Sequence, residues 1–470
     1  MKKVNDDLIS IARRLEGLFE VLVLTVIFYF MWKYFYRWEG PHHFLGRGKF
    51  LLGLMYAVVS IIIFHYTECF KFGYLKLTDL IIAQFIGSFA INFITYLQLC
   101  LIANTMLNPL PMLALEGIDL VVAFLCCYIF TYYYHHVHQP RQLVLVYGDV
   151  RALSMKLKME GRSDMYQIAR VISENKGIEF IEKEIQHYDA VVISDVSSQM
   201  RNDLLKFCYD HKIRTYLVPK ISDIMIRGAA NVSLFDTPLL LVKGKGLTLL
   251  QRMGKRAMDL IICSIVFALA APFMLIISIC IKLEDRGPVF FKQDRVTKDG
   301  RVFQMIKFRS MIVDAEKYGA QPAVDKDPRI TKIGRLIRAT RLDELPQILN
   351  ILKGDMSIVG PRPERVEHVE KYKAEIPEFA FREKVKGGLT GYAQIFGKYN
   401  TTAYDKLRLD LMYIENYSFL LDVKLLLLTV QVMLKKESTE GFDKNVTNEI
   451  LLQIEKDFCE EYQKENKNNE

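Results

Sequence analysis

Four apolar segments fill most of the first 140 residues, and they restrict the fold more than any other feature of the chain. They cover residues 18–35, 50–66, 77–103 and 110–134. Each is close to the roughly 20 residues that cross a bilayer as a helix, and only a helix satisfies its own backbone at that depth without closing into a barrel. The first is not a cleaved signal, because no small-residue cleavage site follows it and aromatics crowd its end. Trp32, Tyr36 and Trp38 fit an interfacial belt. Four spans return the chain to its starting side. Lys2, Lys3, Arg13, Arg14, Lys71, Lys76 and Arg141 then share one side, and Lys33, Arg37, Arg47 and Lys49 the other, a weak bias toward a cytoplasmic N-terminus.

The rest of the 470 residues is more polar. With 51% hydrophobic residues and a mean hydropathy of +0.12, the chain reads as a mixture of membrane and soluble parts. The net charge of +8, carried beside apolar segments, points to anionic lipid or a phosphate-bearing substrate. No recognition-helix or zinc-finger pattern supports nucleic acid. The eight cysteines form no CxxC pair and sit in or beside apolar runs, which makes them buried thiols rather than disulfides or metal ligands. His135, His136 and His138 have no acid or cysteine nearby and read as a membrane edge, not a metal site.

Residues 141–245 alternate apolar strands (RQLVLVYGD, HYDAVVISD, RTYLVP) with helical stretches such as 198–211, the pattern of a small parallel α/β, Rossmann-like domain. Its first turn offers only Gly148, not the G-x-G-x-x-G that cradles a dinucleotide. A structural or regulatory module is the plainer reading. Tyr216 and Lys220 are spaced as in a reductase pair, but a strand and Pro219 keep them off one helix face.

Next stands KRAMDLIICSIVFALAAPFMLIISICIKLEDRGP, residues 255–288. Its apolar core can span a bilayer, but Pro272 interrupts it, and an interior proline removes a hydrogen bond and kinks a helix. Two readings stay open: a kinked fifth span, or a re-entrant helix over residues 257–283 that enters and leaves on one face, with its break at Ala271–Pro272. Residues 246–440 then read as an α-rich monotopic domain. VFFKQDRVTKDGRVFQMIKFRSM suggests a hairpin, and residues 417–436 an amphipathic, membrane-hugging helix. Residues 441–470 are a charged tail with one short helix over 448–463.

Within that domain, RLDELPQILNILKGDMSIVGPRP (residues 341–363) sets two adjacent carboxylates, Asp343 and Glu344, just ahead of a helix over 346–353 that Pro346 opens and Gly354 ends. The dyad precedes the positive end of that helix dipole. Arg335, Arg338 and Arg341 recur every third residue upstream and would share one broad helical face. Such a pair of acids can be a helix cap with a salt bridge to Arg341. Beside arginines and a Pro361-Arg362-Pro363 turn, it can equally hold Mg²⁺ or attack phosphorus.

KRAMD, GPVFFKQDRVTKDGRVFQMIKFRSM, TKIGRLIRATRLDELPQILNILKGDMSIVGPRP and KGGLTGYAQIFG, in this order and spacing, resemble the bacterial sugar transferase family, the polyprenol-phosphate sugar-1-phosphate transferases. The four spans and α/β domain resemble its larger, multi-domain form. The resemblance implies an enzyme of the inner membrane, multi-pass, with a cytoplasmic catalytic domain. It would take a UDP-sugar with Mg²⁺ and pass a sugar 1-phosphate to undecaprenyl phosphate, opening exopolysaccharide or capsule assembly. It implies Asp343 as the nucleophile that holds the phosphosugar after UMP leaves. Glu344 would help through Mg²⁺ or proton handling, and the helix dipole and arginines would keep Asp343 ionised. Arg309, Arg338, Arg341 and Arg362 would lie near phosphate and nucleotide, with Pro361 and Pro363 on the uridine side. The family's helix break reads Ser-Pro; here Ala271 lacks the hydroxyl. A nucleotide-sugar-modifying enzyme using the α/β domain and a non-catalytic membrane scaffold are the alternatives. The apolar spans and α/β module leave room for a homodimer, and the identity of the sugar is not legible.

Overall fold

A computed structural model describes residues 6–37, 48–137, 139–149, 154–244, 246–313, 315, 327–397 and 401–434. The chain divides into two units, residues 1–218 with 430–470, and residues 219–429. The short helix expected over 448–463 lies outside the described residues.

The first unit opens with four long helices, α1 (Asp6–Met31, extended by a π turn over Trp32–Tyr36), α2 (Gly48–Tyr66), α3 (Leu77–Ala103) and α4 (Leu110–Val137). Each is long and apolar enough to cross a membrane. Each packs on the next, and α1 also packs on α4. Phe28 stacks on Tyr56 at 4.2 Å in their interior. The interior also holds acids that the sequence analysis did not single out. Asn92 Nδ2 donates to Glu116 and to Asp119, 2.8 Å each, and Ser88 Oγ donates to Glu116 at 2.8 Å. Tyr56 donates to Asn92 Oδ1 at 3.1 Å, and Gln84 donates to Glu20 at 3.0 Å.

The same unit carries a parallel sheet of four strands, β1 (Arg141–Tyr147), β2 (Tyr166–Ser173), β3 (Ala190–Ser194) and β4 (Arg214–Leu217), in the order β2-β1-β3-β4. Helices α5 (Ser154–Glu160), α6 (Ile178–Ile185) and α7 (Ser198–Asp210) connect them. β2 is absent from the sequence reading; the other three strands match it. Open sheets of this kind receive ligands outside the carboxyl ends of the strands where the order reverses, here between β1 and β3. Gly148 stands there, and Glu174 fills the place: its Oε2 accepts from Ser197 N at 2.7 Å, and a Cβ on Gly148 would meet its Oε1 at 2.9 Å.

The second unit begins with α8 (Ile221–Arg227) and an exposed hairpin, β5 (Ala230–Leu234) with β6 (Thr237–Leu241). Helix α9 (Leu249–Asp285) follows, started by a capping box between Thr248 and Gln251. Its backbone stays helical through Ala271 and Pro272, where the donor missing from proline bends a helix without ending it. At about 1.5 Å per residue its length is about 55 Å, well beyond a bilayer core of about 30 Å. Both ends are held by the rest of the same unit. Near the start, Arg256 donates to the carbonyls of Ile351 and Leu352 (2.6 and 2.7 Å), and Asp259 accepts from Ser357 Oγ and Ile358 N (3.1 and 3.0 Å). Near the end, Glu284 accepts from Lys332 N at 2.8 Å and Asp285 pairs with Arg309. Its outer face, with Ile261, Leu269, Phe273, Leu275 and Leu283, is exposed and apolar.

The rest of that unit comprises a hairpin of β7 (Phe290–Val296) and β8 (Val302–Phe308), then α10 (Lys332–Ala339), α11 (Gln347–Lys353), β9 (Ser357–Val359) and α12 (Val366–Glu375). β10 (Gly388–Thr390), α13 (Tyr392–Phe396), α14 (Ala403–Glu415) and α15 (Phe419–Leu434) complete it. Ile351, Met356, Val359, Phe379, Leu407 and Leu411 are fully buried in its core. β9 and β10 pair in parallel so closely that a Cβ on Gly388 would lie 2.1 Å from Gly360 N, which only glycine permits.

Candidate active site

Asp343 and Glu344 lie in a single 3₁₀ turn (Leu342–Glu344) between α10 and α11. Pro346 caps α11, and Gly354 closes it at φ 97°. Asn350 ties α11 to β8, its Nδ2 donating to Gln304 O at 2.8 Å and its Oδ1 accepting from Ile306 N at 2.9 Å. This clamp brings the next residue of the strand, Lys307, to the dyad. Lys307 Nζ reaches Glu344 Oε1 at 2.9 Å, and Arg362 Nη2 reaches the same oxygen at 2.8 Å.

The two acids therefore differ in environment. Burial alone would raise the pKa of Glu344, but the charges and hydrogen bonds of Arg362 and Lys307 override it and hold the carboxyl well below its usual range. Asp343 goes the other way: burial raises it, Lys307 and Arg338 oppose the rise, and Glu344 adds to it. Among the described residues no side chain donates a hydrogen bond to the Asp343 carboxylate. Arg338 and Lys307 thus favour the charged form of Asp343, in the expected direction, while burial and Glu344 oppose them; the hydrogen bonds of Lys307 and Arg362 go to Glu344. Burial also lowers the pKa of Lys307, with Glu344 opposing.

The Pro-Arg-Pro turn is fixed from two sides. Arg295 Nη1 donates to Pro363 O at 3.0 Å, and Arg382 Nη2 donates to Arg362 O at 2.8 Å. Pro361 and Pro363 are buried and line a small cavity with Arg362, Glu364 and Val385. The charges of Arg382, Lys406, Arg295 and Arg362 outweigh the burial of Glu364 and lower its pKa.

Of the residues expected at the site, the structure gathers Asp343, Glu344 and Arg362, with Arg338 near enough to act on Asp343. Arg309 is buried and pairs with Asp285 at the end of α9. Arg341 does not share the helical face of Arg335 and Arg338, because α10 ends at Ala339 and Arg341 takes a left-handed backbone, φ 56°. Lys307 and Arg295 were missed. The hairpin that holds β8 was legible, but nothing local tells that its one cation, Lys307, meets an acid 37 positions away.

The bacterial sugar transferase family matches residues 250–436, which hold all of this geometry. Over 323 residues the chain is 35% identical to the UDP-N-acetylgalactosamine-undecaprenyl-phosphate N-acetylgalactosaminephosphotransferase of Aeromonas hydrophila, covering 67% of this chain and 72% of that protein. It is 38% identical over 247 residues to the UDP-glucose:undecaprenyl-phosphate glucose-1-phosphate transferase of Klebsiella pneumoniae, 52% of this chain and 51% of that one. The protein of the same name in Escherichia coli (strain K12) is 41% identical over 210 residues, 44% of each chain. The chain thus spans about half the length of the latter two and more of the first. On this match and the share of the first relative that it covers, the chain belongs to the bacterial sugar transferase family.

Proposed function

We propose that the chain is a polyprenyl-phosphate sugar-1-phosphate transferase that works through Asp343. It moves a sugar 1-phosphate from a UDP-sugar to undecaprenyl phosphate, as the names of its relatives describe for them. The observation that carries this reading is the dyad's polarity: Glu344 is locked by two cations, while Asp343 keeps a carboxylate with raised basicity to which, among the described residues, no side chain donates a hydrogen bond.

An Asp343 oxygen forms a bond to the phosphorus bearing the sugar. The P–O bond to the other phosphate breaks, and its electron pair leaves with UMP. A phosphate oxygen of undecaprenyl phosphate then attacks the same phosphorus, and the Asp343 carboxylate departs. Lys307 and Arg362, held beside the turn by Glu344, offset phosphate charge. Glu344, so firmly ionised, is a poor proton carrier and acts as the post that positions them. Mg²⁺ fits this donor set, because Asp343 and the second oxygen of Glu344 (both cations bind Oε1) offer the one or two carboxylates that a phosphate-bridging ion uses. When bound, it neutralises charge on the diphosphate.

Initial rates at varied UDP-sugar and undecaprenyl phosphate should give the parallel lines of a ping-pong reaction. With UDP-sugar and Mg²⁺ but no lipid, UMP should be released to about one equivalent per site. Intersecting lines with no UMP before lipid is added would demote Asp343 to a metal ligand or base.

The catalytic domain faces the cytoplasm of a bacterium, on its inner membrane, and catalyses the first membrane step of exopolysaccharide or capsule synthesis. The grip of one unit on both ends of α9 supports a helix that dips into the membrane without crossing it. Cysteines placed singly at Gln251 and Arg286, in a background without native cysteines, should both react with an impermeant maleimide from the cytoplasmic side. Labelling of the two sites from opposite sides would mean a full span.

A further inference from the structure

A second basic cleft opens on the other side of the segment that walls the Pro-Arg-Pro cavity. Val385 lines both, but Gly387 belongs to the first and Lys384 and Lys386 to the second. The cleft has a volume of about 240 Å³, and Arg252, Arg256, Lys298, Lys384 and Lys386 line it against a single acid, Asp259. That acid is already committed, its Oδ1 accepting from Ser357 and Ile358. Lys255, deeper in the wall, is matched by Asp422 at 2.7 Å. Among the described residues no carboxylate stands within ion-pair distance of Arg252, Lys384 or Lys386. Arg256 and Lys386 converge on one point: a Cβ on Gly354 would lie 3.4 Å from Arg256 Nη2 and 3.6 Å from Lys386 Nζ. Burial, with Arg256 adding to it, lowers the pKa of Lys386, and Asp259 and Asp355 only partly oppose the shift.

Like charges gathered in a concavity focus a positive potential and draw an anion. The first turns of α9 form one wall, and there Leu249, Leu250 and Met253 are exposed. Apolar side chains beside cations at the start of a long apolar helix match the depth of lipid headgroups. We propose that this cleft binds a phosphate group presented by an anionic membrane lipid, at a site separate from the dyad. The inference does not depend on the chemistry of Asp343.

The test uses the full-length chain in detergent and reads lipid adducts by native mass spectrometry. Dioleoyl phosphatidylglycerol, dioleoyl phosphatidylcholine and inorganic phosphate are titrated in turn. Phosphatidylglycerol should bind the wild type better than phosphatidylcholine, by about fivefold or more, and Lys384→Glu/Lys386→Glu should weaken it by about tenfold or more, since each basic residue contributes to headgroup attraction. Arg252→Glu, on an exposed face, should weaken it in the same direction if the double variant fails to fold. Lys371→Glu, at an exposed position of α12 that does not line the cleft, should change nothing. Equal binding of the two lipids, or phosphatidylglycerol binding unchanged in the cleft variants, overturns the site. Displacement of phosphatidylglycerol by millimolar phosphate overturns the lipid source and assigns the cleft to a free phosphate.

Discussion

Asp343→Asn should abolish turnover and, with it, the lipid-independent release of UMP. The substitution keeps the shape of the side chain and removes the charge that attacks phosphorus. Loss of a covalent nucleophile costs far more than a positioning group, and a fall of about 10³-fold or more is expected. Folding should survive, since no hydrogen bond from another side chain reaches the Asp343 carboxylate among the described residues. Relief of its raised pKa, a cost imposed by burial, leaves melting temperature equal or slightly higher. Glu344→Gln behaves differently. It strands Lys307 and Arg362 without their shared acceptor, so both activity and stability should drop. Near wild-type UMP release by Asp343→Asn would remove the nucleophile from the mechanism, whatever Glu344→Gln does.

Lys255→Met should destabilise the catalytic domain by about 3–5 kcal/mol, the usual result of leaving one member of a buried ion pair alone. Lys255 Nζ lies 2.7 Å from Asp422 and 2.9 Å from Tyr413 Oη, and Tyr413 in turn donates to Asp422 at 2.8 Å. Asp422 is 0% exposed, so water cannot replace the lost ammonium. The melting temperature should fall on the order of 10 °C. Lys255→Met/Asp422→Leu should recover most of the loss, because two apolar groups need no partner. A single variant that melts with the wild type, or a double variant no better than the single, would show that the triad does not hold α9 to α15.

Much of this architecture is legible in the sequence where the signal is local. Spans declare themselves by length and composition, and α11 by a proline at one end and a glycine at the other. The two acids ahead of it were legible too, but not their division of labour. Adjacent carboxylates look alike until the cations that meet them are known, and those come from β8 and from the turn after β9. Arg309 carries the same lesson. Its place in KFRSM reads as basic and near phosphate, yet the partner it finds is Asp285, 24 positions upstream. Arg341 was misplaced because an every-third-residue series presumes an unbroken helix, and a left-handed residue ends that series. β2 was missed because its place is set by the sheet: its YQIARVIS carries charge and amide groups, as a half-exposed strand at the edge of the sheet beside β1.

The carboxylates inside the four N-terminal helices bear on how the chain is made. Helix α4 brings Glu116 and Asp119 into an apolar setting within one turn of each other, and an acid at the middle of an inserting helix costs roughly 2.5–3.5 kcal/mol at the translocon. The amide and hydroxyl that receive them, Asn92 and Ser88, are on α3, which leaves the ribosome just before. The pair is therefore suited to entering the lipid as a hairpin, each helix supplying what the other lacks. A pause between them during synthesis would leave α4 to insert its acids unmatched. The spacing of only six residues between Ala103 and Leu110 keeps that interval short.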